Sequence, residues 1–424
     1  MGSESNWVPA PNYSREHMGC AEFDDLRIET KLIHSRLPPF DSNVDPITTP
    51  IFHSSVYRNL SVAQYCDIVD GARGTKNYIY QRLGHPTAQN AEIIINEMEH
   101  GAGTLMFNSG LSACTNVLMC FLKAGDHLIS QRPIYSGTQH FIEQTLTKFG
   151  ITVDWVCAGS SGDDFKRLIQ PTTKMIFVES PCNPLMAIAD LKGIGALSGK
   201  GNQLMTVVDS TFATPLLQQP ITYGFDIVVH SCTKYLGGHT DLIAGCATFK
   251  DVANWKRMKT FQQTCGAYLS AFDSALLVRG MKTLPFRLKQ HSKNAYAIAE
   301  FLASHPKVVA VHYPGLKSHP GHQLATEQMS HKEFGFGGMI SFEMQDFELA
   351  KRLVEAVRIV VLAVSLGGTE SLIEHPASMT HGPLLMTAEQ RKQSQISDGL
   401  IRLSVGLENI ADLKADFAQA LQKV

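Results

Sequence analysis

Five short apolar runs, separated by segments of helical length, constrain the fold of this chain more than any other feature. They read "DHLIS", "ITVDWV", "KMIFVES", "LMTVVDS" and "FDIVVHS", and all lie between Asp126 and Ser231. Their apolar residues are continuous rather than alternating, which is typical of strands that are covered on both faces. The pattern predicts an α/β fold with a mostly parallel central sheet and helices on both of its faces.

The segments around these runs predict helices and a second domain. "AEIIINEMEHGAG" places apolar side chains from Ala91 to Met98 on one helical face, with Gly101 as the expected stop. "GLSACTNVLMCFLKAGD" predicts another helix, closed by Gly125. Because 424 residues are many for one core, and because the pattern changes past "DSALLVRGMKTLP", we expect a domain boundary near Thr283.

Four parts of the chain are expected. Residues 1–26 are polar and rich in Pro, Asn and Ser, which predicts a disordered leader. Residues 27–84 are irregular and predict an arm, residues 85–283 predict the large α/β domain, and residues 284–424 predict a smaller α+β C-terminal domain.

The composition argues against several classes of protein. The 37 basic and 39 acidic residues nearly balance and form no basic block, so we expect no nucleic-acid partner. The N-terminus lacks the apolar segment of a secretory signal, and no apolar run approaches the ~20 residues that span a bilayer. The nine cysteines are too scattered for a disulfide framework, and C-x-x-C and H-E-x-x-H motifs are lacking. We therefore expect a cytoplasmic protein with reduced cysteines, no membrane partner and no metal site.

Polar side chains follow three of the apolar runs, where the strands are expected to end: Glu179 and Asn183, then Asp209, then Ser231, Thr233 and Lys234. Ligands of open α/β sheets bind outside the carboxyl ends of the strands, so these groups should meet at one rim. Taken alone, Lys234 would be interpreted as a solvated surface lysine. The joint arrangement is what indicates a functional site.

This arrangement suits pyridoxal 5'-phosphate (PLP). A lysine such as Lys234 forms a Schiff base with the aldehyde, and an aspartate such as Asp209 keeps the pyridine nitrogen protonated. Ser231 and Thr233 are placed to bind the phosphate, and the "NSGLSA" turn opens a helix whose N-terminus would also bind it. Tyr135, in "RPIYSGT", could stack on the ring.

Five motifs resemble the Cys/Met-metabolism PLP enzymes, which include cystathionine γ-lyase, cystathionine β-lyase, cystathionine γ-synthase and methionine γ-lyase. They read "YIYQRLGHPT", "DSTFATP", "HSCTKYLGGHTD", "SLGGTESLIEHPASMTH" and "LIRLSVGLE". The resemblance runs from about residue 27 to the C-terminus. It implies the fold type I of PLP-dependent transferases, a PLP-binding domain at residues 85–283, and a homotetramer built from dimers.

The resemblance also implies roles for individual residues. The residues implied to hold the cofactor are Tyr80, Arg82, Ser109, Gly110, Leu111, Tyr135, Asn183, Asp209, Ser231, Thr233 and Lys234. Tyr80 and Arg82 are expected to reach the phosphate of a neighbouring subunit, so the arm would contact that subunit. Lys234 and Tyr135 are the expected catalytic residues.

The C-terminal motifs imply which residues bind the substrate. Arg402 matches the arginine that binds the substrate carboxylate, a task for which a guanidinium is suited, and Ser365 stands beside it. Val364 occupies a position where cystathionine γ-lyases carry an acidic residue, bacterial β-lyases a tyrosine and methionine γ-lyases a valine. An apolar side chain there favours an apolar substrate tail such as that of methionine.

Other positions differ from those of methionine γ-lyases and favour a cystathionine lyase. Gly137 stands where methionine γ-lyases carry cysteine, and Gln262 and Gln263 stand where they carry a Lys-Asp pair. His85 replaces the usual asparagine of the family's "GNPT". The substrate therefore stays open among methionine, homocysteine and cystathionine.

We expect γ-elimination on one of these sulfur amino acids, giving 2-oxobutanoate, ammonia and a thiol. Cystathionine β-lyase and cystathionine γ-synthase share the same cofactor residues and remain alternatives. A non-catalytic scaffold with this fold is a third alternative, against which the intact Lys234, Asp209 and Arg402 argue.

Overall fold

A computed structural model of the protein describes residues 8–39, 45–69, 78–199 and 203–424. Within those ranges, none of the helices is both long enough and apolar enough to cross a bilayer. The α-helices of the described residues are α1 (Tyr13–Met18), α2 (Cys20–Asp25), α3 (Ile28–His34), α4 (Val62–Val69), α5 (Pro86–Glu99), α6 (Gly110–Phe121), α7 (Ser136–Gln144), α8 (Gly162–Arg167), α9 (Leu191–Gly195), α10 (Thr214–Leu217), α11 (Val252–Cys265), α12 (Ala271–Met281), α13 (Leu284–Ala303), α14 (His322–Gln328), α15 (His331–Phe334), α16 (Phe347–Ala356), α17 (Ala388–Gln393) and α18 (Ile410–Leu421).

The larger sheet contains seven strands among the described residues: β1 (Gly103–Phe107), β2 (His127–Arg132), β3 (Thr152–Cys157), β4 (Thr173–Glu179), β5 (Met205–Asp209), β6 (Ile227–Ser231) and β7 (Gly245–Phe249). Their order is β1-β7-β6-β5-β4-β2-β3. Strands β2 to β6 are the five predicted runs, and they pair in parallel. The sequence did not predict β1 and β7; β7 is antiparallel to both of its neighbours.

Both faces of this sheet are covered by helices, which explains the continuous apolar runs. In β4, Phe177 joins an apolar cluster with residues of α6, α7 and α11. Its neighbours Ile176 and Val178 join another cluster with residues of α8 and α9 on the opposite face. Alternate side chains of one strand therefore enter two different cores. The predicted α/β architecture is confirmed.

Two predicted helix ends need correction. Helix α5 stops at Glu99 because His100 takes the left-handed conformation (φ 55°), so the stop precedes the expected Gly101. Helix α6 stops at Phe121, four residues before the expected Gly125, because Leu122 is already extended.

The smaller sheet contains five strands among the described residues, in the order β10-β11-β12-β9-β8: β8 (Ala310–His312), β9 (Met339–Glu343), β10 (Val361–Leu362), β11 (Leu372–Glu374) and β12 (Leu400–Ser404). All strands of the larger sheet precede Thr283 and all strands of the smaller one follow it, so we keep residue 283 as the proposed division between the domains. The cores, however, are not separate. One apolar cluster contains Leu32 of the arm, Leu277 of the large domain and Leu366 of the C-terminal domain.

The leader contains more order than its composition predicted. Residues 8–26 include α1 and α2, so the expected disorder is wrong for them; residues 1–7 lie outside the described residues. Phe23 is fully buried, and the Asn12 side-chain amide donates to Glu97 of α5 at 3.2 Å. These contacts with the folded part offset the entropy that a polar segment loses on ordering.

Candidate active site

The carboxyl ends of β4, β5 and β6 open into a cavity of about 320 Å³. The predicted site residues that line it are Ser109, Gly110, Leu111, Tyr135, Asn183, Asp209, Ser231, Thr233, Lys234, Val364, Ser365 and Arg402. Residues of both domains therefore meet in one place, although they are separated by up to about 300 positions in the chain.

Lys234 extends its amine into this cavity from the segment that follows β6. Its Nζ donates to Ser365 Oγ at 2.7 Å. Burial and then the positive charge of Arg402 lower the pKa of the Lys234 amine from 10.5 to about 8, while the carboxylate of Glu374 acts in the opposite direction. The cavity thus holds an amine that is partly neutral near physiological pH.

Asp209, the last residue of β5, presents a buried carboxylate to the cavity. Its Oδ1 accepts from the Thr211 backbone N–H at 2.9 Å and from the Thr211 hydroxyl at 2.5 Å. The Cys114 thiol lies 3.7 Å from Oδ2. Burial raises the pKa of the Asp209 carboxyl, and the bonds from Thr211 oppose that rise. A cationic partner in the cavity would favour the ionised form.

An anion-binding corner forms where β1 turns into α6. The Ser109 side chain caps the helix by accepting from the Ser112 N–H at 3.0 Å. The first N–H groups of the helix, on Gly110 and Leu111, have no acceptor within the helix and carry the positive end of its dipole. A Cβ atom on Gly110 would lie 2.4 Å from Ser231 Cβ and 2.7 Å from Ser231 Cα. Glycine is therefore required where α6 meets the end of β6.

The sequence predicts Glu179 as an acid at a strand end but assigns it no role in the site. Its Oε2 accepts from the Tyr135 N–H at 2.9 Å, and its Oε1 accepts from the Asn183 N–H at 2.5 Å. Burial and then the charge of Asp209 raise the pKa of Glu179 to about 8. One buried carboxyl group thus fixes the two loops that carry Tyr135 and Asn183.

Arg402, on β12, also lines the cavity and is 4% exposed. Its Nη1 donates to Asn183 Oδ1 at 2.9 Å, and its Nη2 donates to the Ser365 carbonyl at 3.1 Å. Nη1 also lies 3.1 Å from Glu374 Oε1. Ser365 adopts a φ of +84°, which is uncommon for a residue other than glycine. The pairing with Glu374 was missed; a carboxylate among the apolar residues of "SLIEH" was its only signal in the sequence.

Tyr80 and Arg82 lie outside this cavity. Arg82 Nη1 donates to the Gln263 carbonyl at 2.6 Å, and its guanidinium lies 5.4 Å from the centre of the Tyr80 ring. Tyr80 is 42% exposed. Within one chain, therefore, neither residue reaches the other predicted cofactor residues.

A family model described as "Cys/Met metabolism PLP-dependent enzyme" matches residues 29–422. The chain belongs to this family. It is a PLP-dependent enzyme, and the predicted family and cofactor are confirmed.

Relatives of this family member carry several enzyme names. It is 44% identical over 396 residues to a cystathionine β-lyase of Lactococcus lactis subsp. cremoris (strain MG1363), covering 93% of this chain and 99% of that one. It is 44% identical over 349 residues to an L-methionine γ-lyase of Fusobacterium nucleatum subsp. polymorphum, covering 82% and 87%. The crystal structure of cystathionine γ-lyase from Lactobacillus plantarum complexed with L-serine has a TM-score of 0.86 at 38% identity, covering 94% and 99%. These names describe three different reactions or substrates, so similarity leaves this chain's reaction open.

The residues of the cavity fit PLP. Lys234 offers a buried amine of lowered pKa to an aldehyde, and Asp209 offers a buried carboxylate to a cationic ring nitrogen. Ser231 packs directly against Gly110 at the start of α6, and the first N–H groups of such a helix are suited to a phosphate. The site therefore has a group suited to each polar part of the cofactor.

Proposed function

We propose that this enzyme cleaves the Cγ–S bond of a sulfur amino acid (methionine, homocysteine or cystathionine) and releases a thiol, 2-oxobutanoate and ammonia. The observation that carries the proposal is the Lys234 amine, which lies in one cavity with the Asp209 carboxylate and the Arg402 guanidinium. PLP, when bound, acts as an electron sink for carbanions next to the amino group.

The proposed cofactor contacts follow from the chemistry of each group. Asp209 would pair with the ring nitrogen, and Tyr135, which lines the cavity and is 39% exposed, would stack on the ring. Asn183 contacts the ring edge. The N–H groups of Gly110 and Leu111 at the start of α6 would hold the phosphate, together with the hydroxyls of Ser109, Ser231 and Thr233.

Proton transfer is assigned to Lys234 and Tyr135. The neutral Lys234 amine removes the proton from the substrate Cα and carries protons to Cβ, and Ser365 Oγ orients it at 2.7 Å. Burial, and then the neighbouring Cys114, raise the pKa of the Tyr135 phenol. That phenol stays protonated near neutral pH and can donate a proton to the departing sulfur.

Substrate recognition is assigned to Arg402, Ser365 and Val364. Arg402 binds the substrate carboxylate, because a guanidinium presents several donors in a planar fork. Val364 lines the cavity and is 52% exposed. It offers no donor, acceptor or charge to the polar far end of cystathionine, whereas it loses nothing against the apolar tail of methionine.

A second candidate is β-elimination of cystathionine, which the 44% identity to a cystathionine β-lyase supports. Products separate the candidates: γ-elimination gives 2-oxobutanoate, β-elimination gives pyruvate, and γ-replacement gives cystathionine when a second thiol substrate is added. The test is turnover of methionine, homocysteine and cystathionine with identification of the 2-oxo acid. Pyruvate as the only 2-oxo acid would overturn the γ-elimination proposal.

Two variants sharpen this test. Lys234→Ala should abolish turnover of every substrate while the protein stays folded, because both cofactor attachment and proton transfer depend on its amine. Val364→Glu should shift the ratio of kcat/KM toward cystathionine by about fivefold, the lower end of the cost of an unpartnered polar group, since Val364 is half-exposed. Val361→Glu is the matched control, because Val361 is 49% exposed but does not line the cavity.

We also propose a cytoplasmic homotetramer assembled from dimers. Apolar side chains of the arm are unusually exposed in one chain: Ile47 is 93% exposed, Leu60 79% and Val62 81%. Such exposure supports a contact with another subunit, in which Tyr80 and Arg82 would complete the neighbour's phosphate site. The nine free cysteines support a reducing compartment.

A further inference from the structure

Glu374 forms a buried ion pair with the residue to which we assign carboxylate recognition. It is 1% exposed and stands directly opposite Arg402 in the antiparallel pairing of β11 and β12. Its Oε1 lies 3.1 Å from Arg402 Nη1 and accepts from the Thr380 hydroxyl at 2.7 Å. Its Oε2 has no hydrogen-bond partner among the described residues.

A buried carboxylate in such an ion pair contributes little to the stability of the fold. Removing a carboxylate from water costs several kcal/mol, and replacing a buried ion pair by apolar residues is often neutral or stabilising. The cost is greater when one oxygen stays unpaired. We therefore relate Glu374 to the function of Arg402 rather than to the stability of the C-terminal domain.

Three groups contact the Arg402 guanidinium. Asn183 Oδ1 and Glu374 Oε1 both lie at its Nη1, and the Ser365 carbonyl accepts from its Nη2. Two of these partners are neutral, and Glu374 is the partner that opposes its charge. Glu374 does not line the cavity, so it acts on a substrate carboxylate through Arg402.

We propose that Glu374 is a positioning residue that orients Arg402 and weakens its hold on the substrate carboxylate. The inference rests on the proposed function, in which Arg402 binds that carboxylate. In a buried site, a guanidinium that already faces one carboxylate attracts a second one less strongly than a guanidinium without a counter-charge. The 2-oxo acid product carries the same carboxylate, so the same pairing limits its retention and favours release.

The test measures binding of butanoate to the PLP-loaded enzyme by calorimetry, with butanamide as the uncharged probe of the same shape. Glu374→Gln keeps an oxygen toward Arg402 and removes the charge. We expect it to tighten butanoate binding about tenfold, as for close charge pairs in other complexes, and to leave butanamide binding unchanged. KM for the amino-acid substrate should fall, whereas kcat should stay equal or fall because the product is retained.

Matched variants separate this idea from its alternatives. Glu343→Gln removes a carboxylate from β9 of the same sheet, where it pairs with His312 at 3.0 Å, and should change neither affinity. Glu374→Asp retracts the charge from Arg402 and should tighten butanoate binding less than Glu374→Gln does; it carries the test if the Gln variant does not fold. Unchanged or weaker butanoate binding in the folded variants would overturn the proposal. If Arg402→Leu leaves butanoate affinity unchanged, the assignment of Arg402 in the proposed function fails instead.

Discussion

The Lys234 amine should behave as a partly neutral base near pH 7 in the cofactor-free protein. Burial and Arg402 together lower its pKa from 10.5 to about 8. At pH 7, about one amine in ten is then neutral, against about one in 3,000 for an ordinary lysine, which is a gain of about 300-fold in the reactive form. This gain is the structural basis for assigning cofactor attachment and proton transfer to the same residue.

Competitive acylation measures this pKa directly. Cofactor-free protein is treated briefly with acetic anhydride between pH 6 and pH 11, and mass spectrometry follows the peptide that carries Lys234. The peptide with the exposed Lys148 normalises the dose of reagent. We expect half-maximal labelling of Lys234 near pH 8, and a higher midpoint in Arg402→Gln, because a neighbouring positive charge is removed while Glu374 remains. A midpoint above pH 10 in the wild-type protein would refute the reasoning.

Three other predictions concern Gly110, Arg82 and Ser365. Gly110→Ala should lower the free energy of unfolding by about 1–3 kcal/mol and weaken PLP binding, because its Cβ would clash with Ser231; unchanged urea unfolding would contradict the close approach. Arg82→Ala should weaken PLP binding, and mixing it with Lys234→Ala should restore some activity in hybrid dimers; exchange of subunits seen by mass spectrometry without recovered activity would argue against shared sites. Ser365→Ala and Ser365→Gly both remove the hydroxyl that contacts Lys234, but the Gly variant should be more stable by about 1 kcal/mol, because only Ala keeps the cost of a positive φ. Equal urea midpoints for the two variants would show that this backbone is not strained.

The parallel part of the large sheet could be predicted because each of its strands carries its own signal. Strands β2, β4, β5 and β6 are buried along most of their length, since helices cover both faces, whereas the edge strand β3 alternates exposed residues with half-buried or buried ones. Strands β1 and β7 read "GTLMF" and "GCATF", with small residues and few β-branched ones. They are defined by their mutual antiparallel pairing, in which Gly103 faces Phe249. A register between segments so far apart in sequence leaves no local pattern.

The residues of the candidate site likewise include some that the sequence predicts and some that it does not. Asp209 and Lys234 could be found from position alone, because the ends of neighbouring parallel strands meet at one edge. Arg402, Ser365 and Val364 came from the family motifs, since nothing near them in sequence shows which side of the molecule they face. Glu374 was missed because its role depends on the register that places it opposite Arg402.

One apolar cluster joins Leu32, Leu277 and Leu366, so we expect both sheets to unfold as one cooperative unit. The division at residue 283 separates the sheets, but it does not separate the cores, so a cut there would expose apolar surface on both fragments. We therefore expect one thermal transition rather than two in calorimetry, and neither fragment should be stable when expressed alone. A chimaera that takes the C-terminal domain from a relative would also need the residues that this domain contributes to the shared core, in addition to those to which we assign substrate binding.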